Sequence, residues 1–426
     1  MVIKKLIAIS VVFALVAGTA FAVDLGGDVI GKVNVAEKSG KVVSTDPDSK
    51  AELFKGGLGR IRLEGSGEAD VGIGTIGGWL RFDVGSALTG YTFPGTTPPT
   101  TQAEFEALIQ KGTFAAASGL AWWQPIEQLR LQIGVNPDGH YDASHLGRYG
   151  FYAQANEIGL VNSDGNWGGT SWDSAVFGGY SALHFALIIT PMEALTINVA
   201  IPLNADPGIA ANATGDADTQ MAATFKAALF QVNYAADFGA IHLTYQGAGS
   251  TETDYGLVSV ATDAHNQLGP ATTLGKFFAS AYLGSLVDGL GLEFGLKFEI
   301  GKDGNKPPLG IGLAAKYDVS EQFGVKLRSI FEIAMESGAT TKARVRVDVL
   351  PYFAVNENVT AYFDAGIYMA GKENTMWHIA PYVRVGSEWG PSFYAGINAN
   401  NVGQYGSNKL VSGVNFAIPV GFIAKF

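Results

Sequence analysis

Long stretches in which apolar and polar residues alternate constrain this chain more than any other feature. Such alternation runs from Leu292 to Ile300, from Val345 to Val349 and from Val359 to Met369. Because successive side chains of a β-strand point to opposite faces of the sheet, this period predicts strands with one apolar face and one polar face. The longer runs reach about ten residues, the length that a tilted strand needs to cross a bilayer.

The composition favours a membrane as the surroundings of these strands. Of the 426 residues, 47% are hydrophobic and only 16% are charged, whereas a soluble domain coats itself with charge. Within lipid every backbone polar group must be bonded inside the protein, so only helices and closed barrels can span it. The chain has no run of roughly 20 apolar residues that would form a membrane helix. A closed barrel is therefore expected.

The N-terminus reads as a secretory signal peptide. The apolar run from Leu6 to Val16 follows two lysines and leads to Ala20-Phe21-Ala22, a small-x-small cleavage pattern. We predict that residues 1–22 are removed and that residues 23–426 form a single domain. The chain has no cysteine, which excludes disulfides and thiolate chemistry.

The predicted connections alternate between short and long. The short ones are Gly65 to Glu68, Gln124 to Glu127, Thr190 to Glu193, Ala235 to Gly239, Asp288-Gly289, Asp318 to Glu321, Ala354 to Asn358 and Ser387 to Gly390. The long ones are Glu37 to Gly56, Ala87 to Gly112, Pro137 to Phe177, Asn204 to Thr219 and Gly247 to Leu274. Outer-membrane barrels have short periplasmic turns and longer extracellular loops. We therefore predict an all-β fold, a transmembrane antiparallel up-and-down β-barrel of about 18 strands (16–18) with both termini on the periplasmic side.

The last strand carries a resemblance to a known family. Apolar residues alternate from Val414 to the terminal Phe426, and Pro419 departs from the pattern because proline donates no ladder hydrogen bond. This end resembles the C-terminal strand of bacterial outer-membrane barrels, which is read by the barrel-assembly machinery, with Phe422 and Phe426 as the expected assembly signal. Residues 23–426 resemble a porin of a diderm bacterium, and the Gly- and Ala-rich composition is similar to that of spirochaetal outer-membrane proteins. The resemblance implies passive diffusion of small hydrophilic solutes, contact with outer-membrane lipid, and a homotrimer.

Charge is divided unevenly between loops and strands. The five long connections hold 17 acids and 6 bases, a net charge of -11, against -13 for the chain without its signal peptide. The polar faces of the strands are more basic than acidic. The predicted pore-lining residues are Arg60, Arg62, Arg81, Arg130, Lys297, Lys316, Lys326, Arg328, Arg344, Arg346, Arg384, Glu293, Glu299, Asp348 and Asp364.

Like charges in a narrow lumen set ion preference, so we expect a mild anion preference beneath an acidic extracellular vestibule. Two alternatives stay open. The wall charges could pair across strands and mainly keep the lumen hydrated. An acidic loop folded inward would reverse the selectivity.

Aromatic residues allow two interpretations. Trp122, Trp123, Trp377 and Trp389 lie near predicted strand ends, where a bilayer interface favours them, and we predict membrane-girdle positions. Trp79, Tyr362, Tyr368, Tyr382 and Tyr394 fall on the lumen face by parity and would line a sugar-specific channel.

Motifs of catalysis are absent, since the sequence has no G-x-S-x-G elbow, H-E-x-x-H pair or phosphate-binding loop. His140, Asp142 and His145 cluster in one predicted loop, where solvated side chains are the favoured interpretation over a metal site. We predict no catalytic residue, no metal, no cofactor and no enzymatic activity. The acidic balance also argues against a nucleic-acid partner.

Three functions fit these features to different degrees. The favoured one is a porin, a water-filled channel for ions and small hydrophilic solutes. A surface adhesin or structural barrel with a narrow lumen would use the long acidic loops for binding. A sugar-specific channel would use the lumen aromatics. A soluble secreted β-protein is the fallback.

Overall fold

The strands form one continuous antiparallel sheet. The computed structural model describes residues 22–38, 41–42, 51–84, 116–135, 145–146, 155, 184–202, 228–247, 273–301, 309–335, 343–370, 374–388, 390–401, 411–412 and 414–425. The strands of the sheet are β1 (Ala22–Lys38), β2 (Ala51–Asp70), β3 (Thr75–Val84), β4 (Ala116–Ile126), β5 (Leu129–Val135), β6 (His184–Met192), β7 (Leu195–Pro202), β8 (Leu229–Ala236), β9 (Gly239–Gly247), β10 (Thr273–Val287), β11 (Leu290–Gly301), β12 (Leu309–Asp318), β13 (Phe323–Ile333), β14 (Ala343–Asn356), β15 (Val359–Ala370), β16 (Asn374–Gly386), β17 (Ser392–Gly396 and Asn398–Asn400) and β18 (Asn415–Lys425). Lys41–Val42 and Val411–Ser412 form a separate two-residue ladder.

The sheet closes on itself. Strand β1 pairs with β2 in the register Ala22↔Glu68 and with β18 in the register Asp28↔Lys425, and every other strand pairs with its neighbours in the chain. Closure leaves no unpaired edge, which is how a sheet satisfies its backbone groups without water. The ring has 18 strands because β17 is one strand interrupted at Ile397. This confirms the predicted fold class and strand number.

The two faces of the barrel differ as the alternation predicts. The outer face carries large apolar side chains that are between a third and three quarters exposed, among them Phe230, Leu243, Phe277, Phe294, Leu296, Phe298, Phe363, Ile379, Phe393 and Phe422. A continuous exposed apolar surface of this kind is disfavoured in water and suits contact with hydrocarbon. Within the described ranges, no helix has the length and hydropathy required to cross a membrane.

The short connections all lie at one end of the barrel, and seven of the eight predicted ones coincide with observed turns or strand ends. The turn predicted at Gly65 to Glu68 is wrong, because β2 continues through it to Asp70 and turns at residues 71–74. Gly72 and Gly74 have positive φ angles of 79° and 111°, and Asp70 accepts a hydrogen bond from the Gly72 N–H at 2.8 Å. The glycines at 65 and 67 instead serve as strand residues.

The seam between β1 and β18 fits the predicted terminal strand. Phe422 lies opposite Gly31, and any side chain at that glycine would collide with the phenylalanine ring. Pro419 is opposite Asn34, and the register slips immediately beyond this pair, between Asn34 and Glu37. An irregularity there removes the need for a regular ladder bond from proline.

Several predictions fall outside the described residues. They concern residues 1–21 of the predicted signal peptide, the undescribed parts of the long acidic connections, Trp389 and Phe426. Arg60 lies in β2, but its side chain is likewise outside the described part of the chain.

Candidate functional site

The inner face of the barrel is the candidate functional site, and strand parity places its polar side chains there. In β13 to β15 the inward positions are in register, with Arg328 opposite Asp348 and Asp348 opposite Gly366. The predicted pore-lining residues with described side chains all fall on this face. They are Arg62, Arg81, Arg130, Glu293, Lys297, Glu299, Lys316, Lys326, Arg328, Arg344, Arg346, Asp348, Asp364 and Arg384. Their role in conduction stays a prediction.

A buried ionic cluster occupies the inner face of β13 and β14. Arg328 donates to Asp348 Oδ2 through Nε at 3.0 Å and Nη2 at 2.9 Å, and Arg346 donates to the same oxygen through Nε at 2.8 Å. All three side chains are 0% exposed. A buried ion pair is favourable only with good geometry and additional hydrogen bonds. The Asp348 carboxylate provides both guanidinium groups with such a partner.

A second buried pair continues the cluster onto β15 and β16. His378 Nε2 lies 2.6 Å from Asp364 Oδ2, and both side chains are completely buried. Gly366, between Asp348 and His378 in the register, leaves no room for a Cβ because both of those side chains occupy the space above it. Glycine at this position therefore lets two buried polar side chains on the flanking strands approach one another.

The remaining wall charges are also paired. Further pairs join Lys297 to Glu299 at 2.9 Å, Lys326 to Glu388 at 3.1 Å, Arg344 to Glu332 at 3.7 Å and Lys316 to Asp318 at 2.9 Å. Seven bases and six acids are buried on this face among the described residues, a net of +1 with histidine neutral. Most charged side chains of the inner face thus contact an opposite charge. This is the arrangement of the alternative in which wall charges pair with one another.

The wall formed by β2 to β5 holds a looser set of charges. Arg62 lies 4.0 Å from Asp28 and 3.7 Å from Glu64, and Arg81 lies 3.7 Å from Glu64. The side chains of Arg62 and Glu64 are 15% and 37% exposed. Arg62 and Glu64 are therefore partly hydrated, whereas the Arg81 side chain is buried.

The tryptophans divide between the two faces. Trp122 was predicted at the membrane girdle, but it lies on the inner face opposite Gly77 and Gln132, with the Arg130 guanidinium 5.2 Å from its ring centroid. Adjacent strand residues must point to opposite faces, so only one of Trp122 and Trp123 can face outward. Trp123 does so, with its indole N–H donating to the Ile73 carbonyl at 3.1 Å, and Trp377 also faces outward. The girdle role of these two stays a prediction.

The wall formed by β6 to β9 is neutral. None of these four strands contains Asp, Glu, Lys or Arg. Their inner face carries a chain of amides in which Asn198 and Asn233 both donate to Gln231 Oε1, at 2.9 and 3.0 Å, and Gln231 donates to Thr244 at 3.0 Å. Asn233 Oδ1 in turn lies 2.8 Å from His242 Nδ1.

Residues 145 and 146, from the long connection between β5 and β6, lie inside the barrel. The backbone N–H groups of His145 and Leu146 donate to the two carboxylate oxygens of Glu293 at 2.8 and 2.7 Å. The His145 ring stacks on Tyr282, with centroids 4.5 Å apart and planes 14° apart. These contacts fasten the connection to the inner face of β10 and β11.

Ala155, from the same connection, is anchored elsewhere on the wall. It is 1% exposed and belongs to a buried cluster formed by inward side chains of β1 and of β14 to β18. The other members are Ile30, Leu350, Tyr362, Tyr382, Tyr394 and Ile423, with Tyr352 packed against them. Tyr362 and Tyr382 stack at 4.7 Å. The tyrosine rings predicted for a sugar path therefore pack against protein.

Residues 145, 146 and 155 of this connection contact two parts of the inner wall. Residues 145 and 146 contact β9 to β11, and Ala155 packs into the buried cluster on β1 and β14 to β18. On the same inner face, the side chains of Arg328, Asp348 and Asp364 are completely buried.

The sequence patterns did not single out Gln231, Asn233 and Thr244 and did not connect His145 with His242. The absence of charge from four consecutive strands is visible in the sequence and signals a distinct wall. No sequence signal pairs His145 with His242, because the two positions are 97 residues apart.

Comparisons with known proteins find similar solved structures but no matching family model or curated protein. No family model matches the chain, and no curated protein matches it. Solved structures similar to it include a five-substitution variant of the porin of Rhodopseudomonas blastica, at 13% identity and a TM-score of 0.48, with 95% of this chain and 100% of that chain covered. A three-substitution variant of the same porin has 12% identity, a TM-score of 0.48 and the same coverage.

Proposed function

We propose that the chain is an outer-membrane porin that forms a water-filled channel for ions and small hydrophilic solutes. The observation that carries this proposal is a closed 18-strand barrel with an apolar outer face and a polar inner face. Such a barrel satisfies its backbone in lipid and offers a hydrated path through its centre. Export by the N-terminal signal peptide, insertion through the terminal strand, and trimer formation belong to the same proposal.

The proposed path runs beside β2 to β5. Arg328, Asp348 and Asp364 on β13 to β15 are completely buried, whereas Arg62, Glu64 and Arg130 retain contact with solvent. Polar side chains that are partly hydrated suit a path through which solutes pass without tight binding. Ion preference would then depend on these residues more than on the buried cluster.

We propose a mild anion preference for the channel. Ten bases and nine acids result when the partly exposed residues Arg62, Arg130, Lys316, Glu64, Asp318 and Glu388 are added to the buried charges of the inner face. An excess this small gives a weak preference, because neighbouring opposite charges cancel most of each other's field.

The test is single-channel recording of the refolded protein, residues 23–426, in a planar bilayer with a salt gradient. We expect large steady conductance steps and a reversal potential of the anion sign, and the variant Arg62→Glu should move that potential towards cations. The turn variant Asp288→Asn is the matched control and should leave it unchanged. A protein that shifts on heating in gels, and is therefore folded, yet gives no steps would exclude the porin proposal.

A closed-lumen surface barrel is the second candidate. The specific observation in its favour is the complete burial of Arg328, Arg346 and Asp348 on a face that would otherwise be wet. The same recordings separate the two candidates, since a filled lumen would pass no current.

A further inference from the structure

A carboxylate from one short turn reaches across the inner face of the barrel. Glu388 belongs to the turn between β16 and β17, and its Oε1 atom lies 3.1 Å from Lys326 Nζ on β13. Its Oε2 atom lies 3.6 Å from Arg384 Nη1 on β16. Strands β14 and β15 lie between β13 and β16 in the sheet, so the Glu388 side chain bridges strands that are not neighbours.

The turn that carries Glu388 is fixed by its own backbone. Gly386 has a φ of 107°, which suits glycine, and a side chain there would collide with the Pro391 carbonyl. The Ser387 N–H donates to the same carbonyl at 3.1 Å, and the Gly386 N–H donates to the carbonyl of Asn358 in the neighbouring turn at 2.8 Å. The turn therefore holds the Glu388 backbone close to the two bases.

The two bases are buried, whereas the carboxylate is not. The side chains of Lys326 and Arg384 are 9% and 11% exposed, and that of Glu388 is 36% exposed. The short connections all lie at one end of the barrel, and we call the opening at this end the turn-end mouth. Every ion that uses the channel passes this mouth, where a charge in contact with solvent acts on it.

The carboxylate balances much of the positive charge on this side of the mouth. The ion pairs that join β12, β13 and β16 to their turns hold three bases, Lys316, Lys326 and Arg384, and two acids, Asp318 and Glu388, a net of +1. Loss of the Glu388 charge makes this net +2. Arg384 stays protonated in any surroundings, so its positive charge would no longer be compensated there.

We propose that Glu388 sets the ion preference of the turn-end mouth by neutralising the attraction of Lys326 and Arg384 for anions. This inference rests on the proposed porin function and deepens it, because it assigns selectivity to a turn residue as well as to residues of the strands. Small anions are attracted by the two bases and repelled by the carboxylate that covers them. Removal of the carboxylate charge alone therefore turns a mild anion preference into a stronger one.

The experiment is measurement of the reversal potential of the refolded protein, residues 23–426, in a planar bilayer with a salt gradient. In Glu388→Gln we expect the ratio of anion to cation permeability to rise by about twofold or more. Glu357→Gln is the matched control, because it removes the same charge from the neighbouring turn at the same end. Glu357 is exposed and accepts from Asn358 at 3.3 Å, and we expect little change there.

A single thiol separates the effect of charge from an effect on folding. The chain has no cysteine of its own, so Glu388→Cys can be modified at that position alone. Methanethiosulfonate reagents transfer a charged thioalkyl group to the thiol as a mixed disulfide and release methanesulfinate. A sulfonate reagent should restore the wild-type reversal potential, and a trimethylammonium reagent should move the potential further towards anions.

The outcomes that contradict the proposal are distinct from those that exclude a channel. The proposal is overturned if Glu388→Gln and Glu357→Gln shift the reversal potential equally, or if the two reagents leave the same potential. A thiol that neither reagent modifies, as seen by mass spectrometry, would also overturn it, because Glu388 would then not face solvent. A wild type without conductance steps excludes the porin proposal and this one with it, whereas steady steps with unchanged potentials exclude this one alone.

Discussion

Two walls of the same barrel stabilise the polar side chains of their inner faces with different kinds of contact. The wall of β13 to β16 uses charges, with Arg328 and Arg346 sharing Asp348 and with Asp364 paired to His378. The wall of β6 to β9 has no charged residue in its strands and uses a chain of amides centred on Gln231. Strands β6 and β7 are nine places from β15 and β16 in a ring of 18, so these parts of the two walls lie opposite each other.

The difference shows that one alternating pattern can produce two kinds of interior. Ionic groups that are shielded from water depend on their partners, because an unpaired buried charge is very unfavourable. Neutral amides need only satisfied hydrogen bonds and are less affected by the loss of a neighbour. His242, in the last strand of the neutral wall, contacts His145 of the connection between β5 and β6.

Breaking the charged wall should have the largest effect. Asp348→Ala removes the only carboxylate shown to accept hydrogen bonds from both Arg328 and Arg346 among the described residues, and we expect a loss of about 3–5 kcal/mol in the free energy of unfolding. Urea unfolding in detergent measures it. Asp288→Asn, in an exposed turn, is the control and should change stability by less than about 0.5 kcal/mol. Equal losses in the two variants would contradict the assigned role.

Breaking the neutral wall should have an intermediate effect. Gln231→Leu keeps the volume but leaves the amides of Asn198 and Asn233 without their shared acceptor, at a cost of about 1–3 kcal/mol. Urea unfolding again measures it, with Gln322→Leu in an exposed turn as the control. The reversal potential should stay at the wild-type value, since no charge is lost. A loss as large as that of Asp348→Ala would remove the distinction between the walls.

An exposed charge pair should have the smallest effect. Lys316 and Asp318 are 2.9 Å apart with side chains 38% and 40% exposed, and such pairs contribute about 0–1 kcal/mol. Lys316→Gln should therefore leave the urea midpoint nearly unchanged and shift the reversal potential slightly towards cations. The potential shift should diminish in concentrated salt, which screens exposed charges. A large loss of stability would show that this pair behaves like the buried cluster.

The strands and their faces could be predicted because the cause is local. Alternation in β11 and β15 requires only that neighbouring side chains point to opposite sides, and the observed faces agree with it. The errors are also local. Gly65 to Glu68 has the composition of a turn but lies within β2, where ladder bonds to β3 hold it extended. Trp122 and Trp123 are adjacent residues of one strand and therefore point to opposite faces, so only one of them can face lipid.

The sequence by itself determined a barrel of about 18 strands (16–18) with an apolar exterior, because strand length, alternation and connection length are properties of contiguous residues. Only the tertiary structure decided that Asp348 serves two arginines, that Ala155 packs into a buried cluster with three tyrosines, and that His145 meets His242. These contacts depend on the register of neighbouring strands and on where residues of a connection touch the inner wall. Both are set by the closure of the whole ring and cannot be predicted from a local pattern of residues.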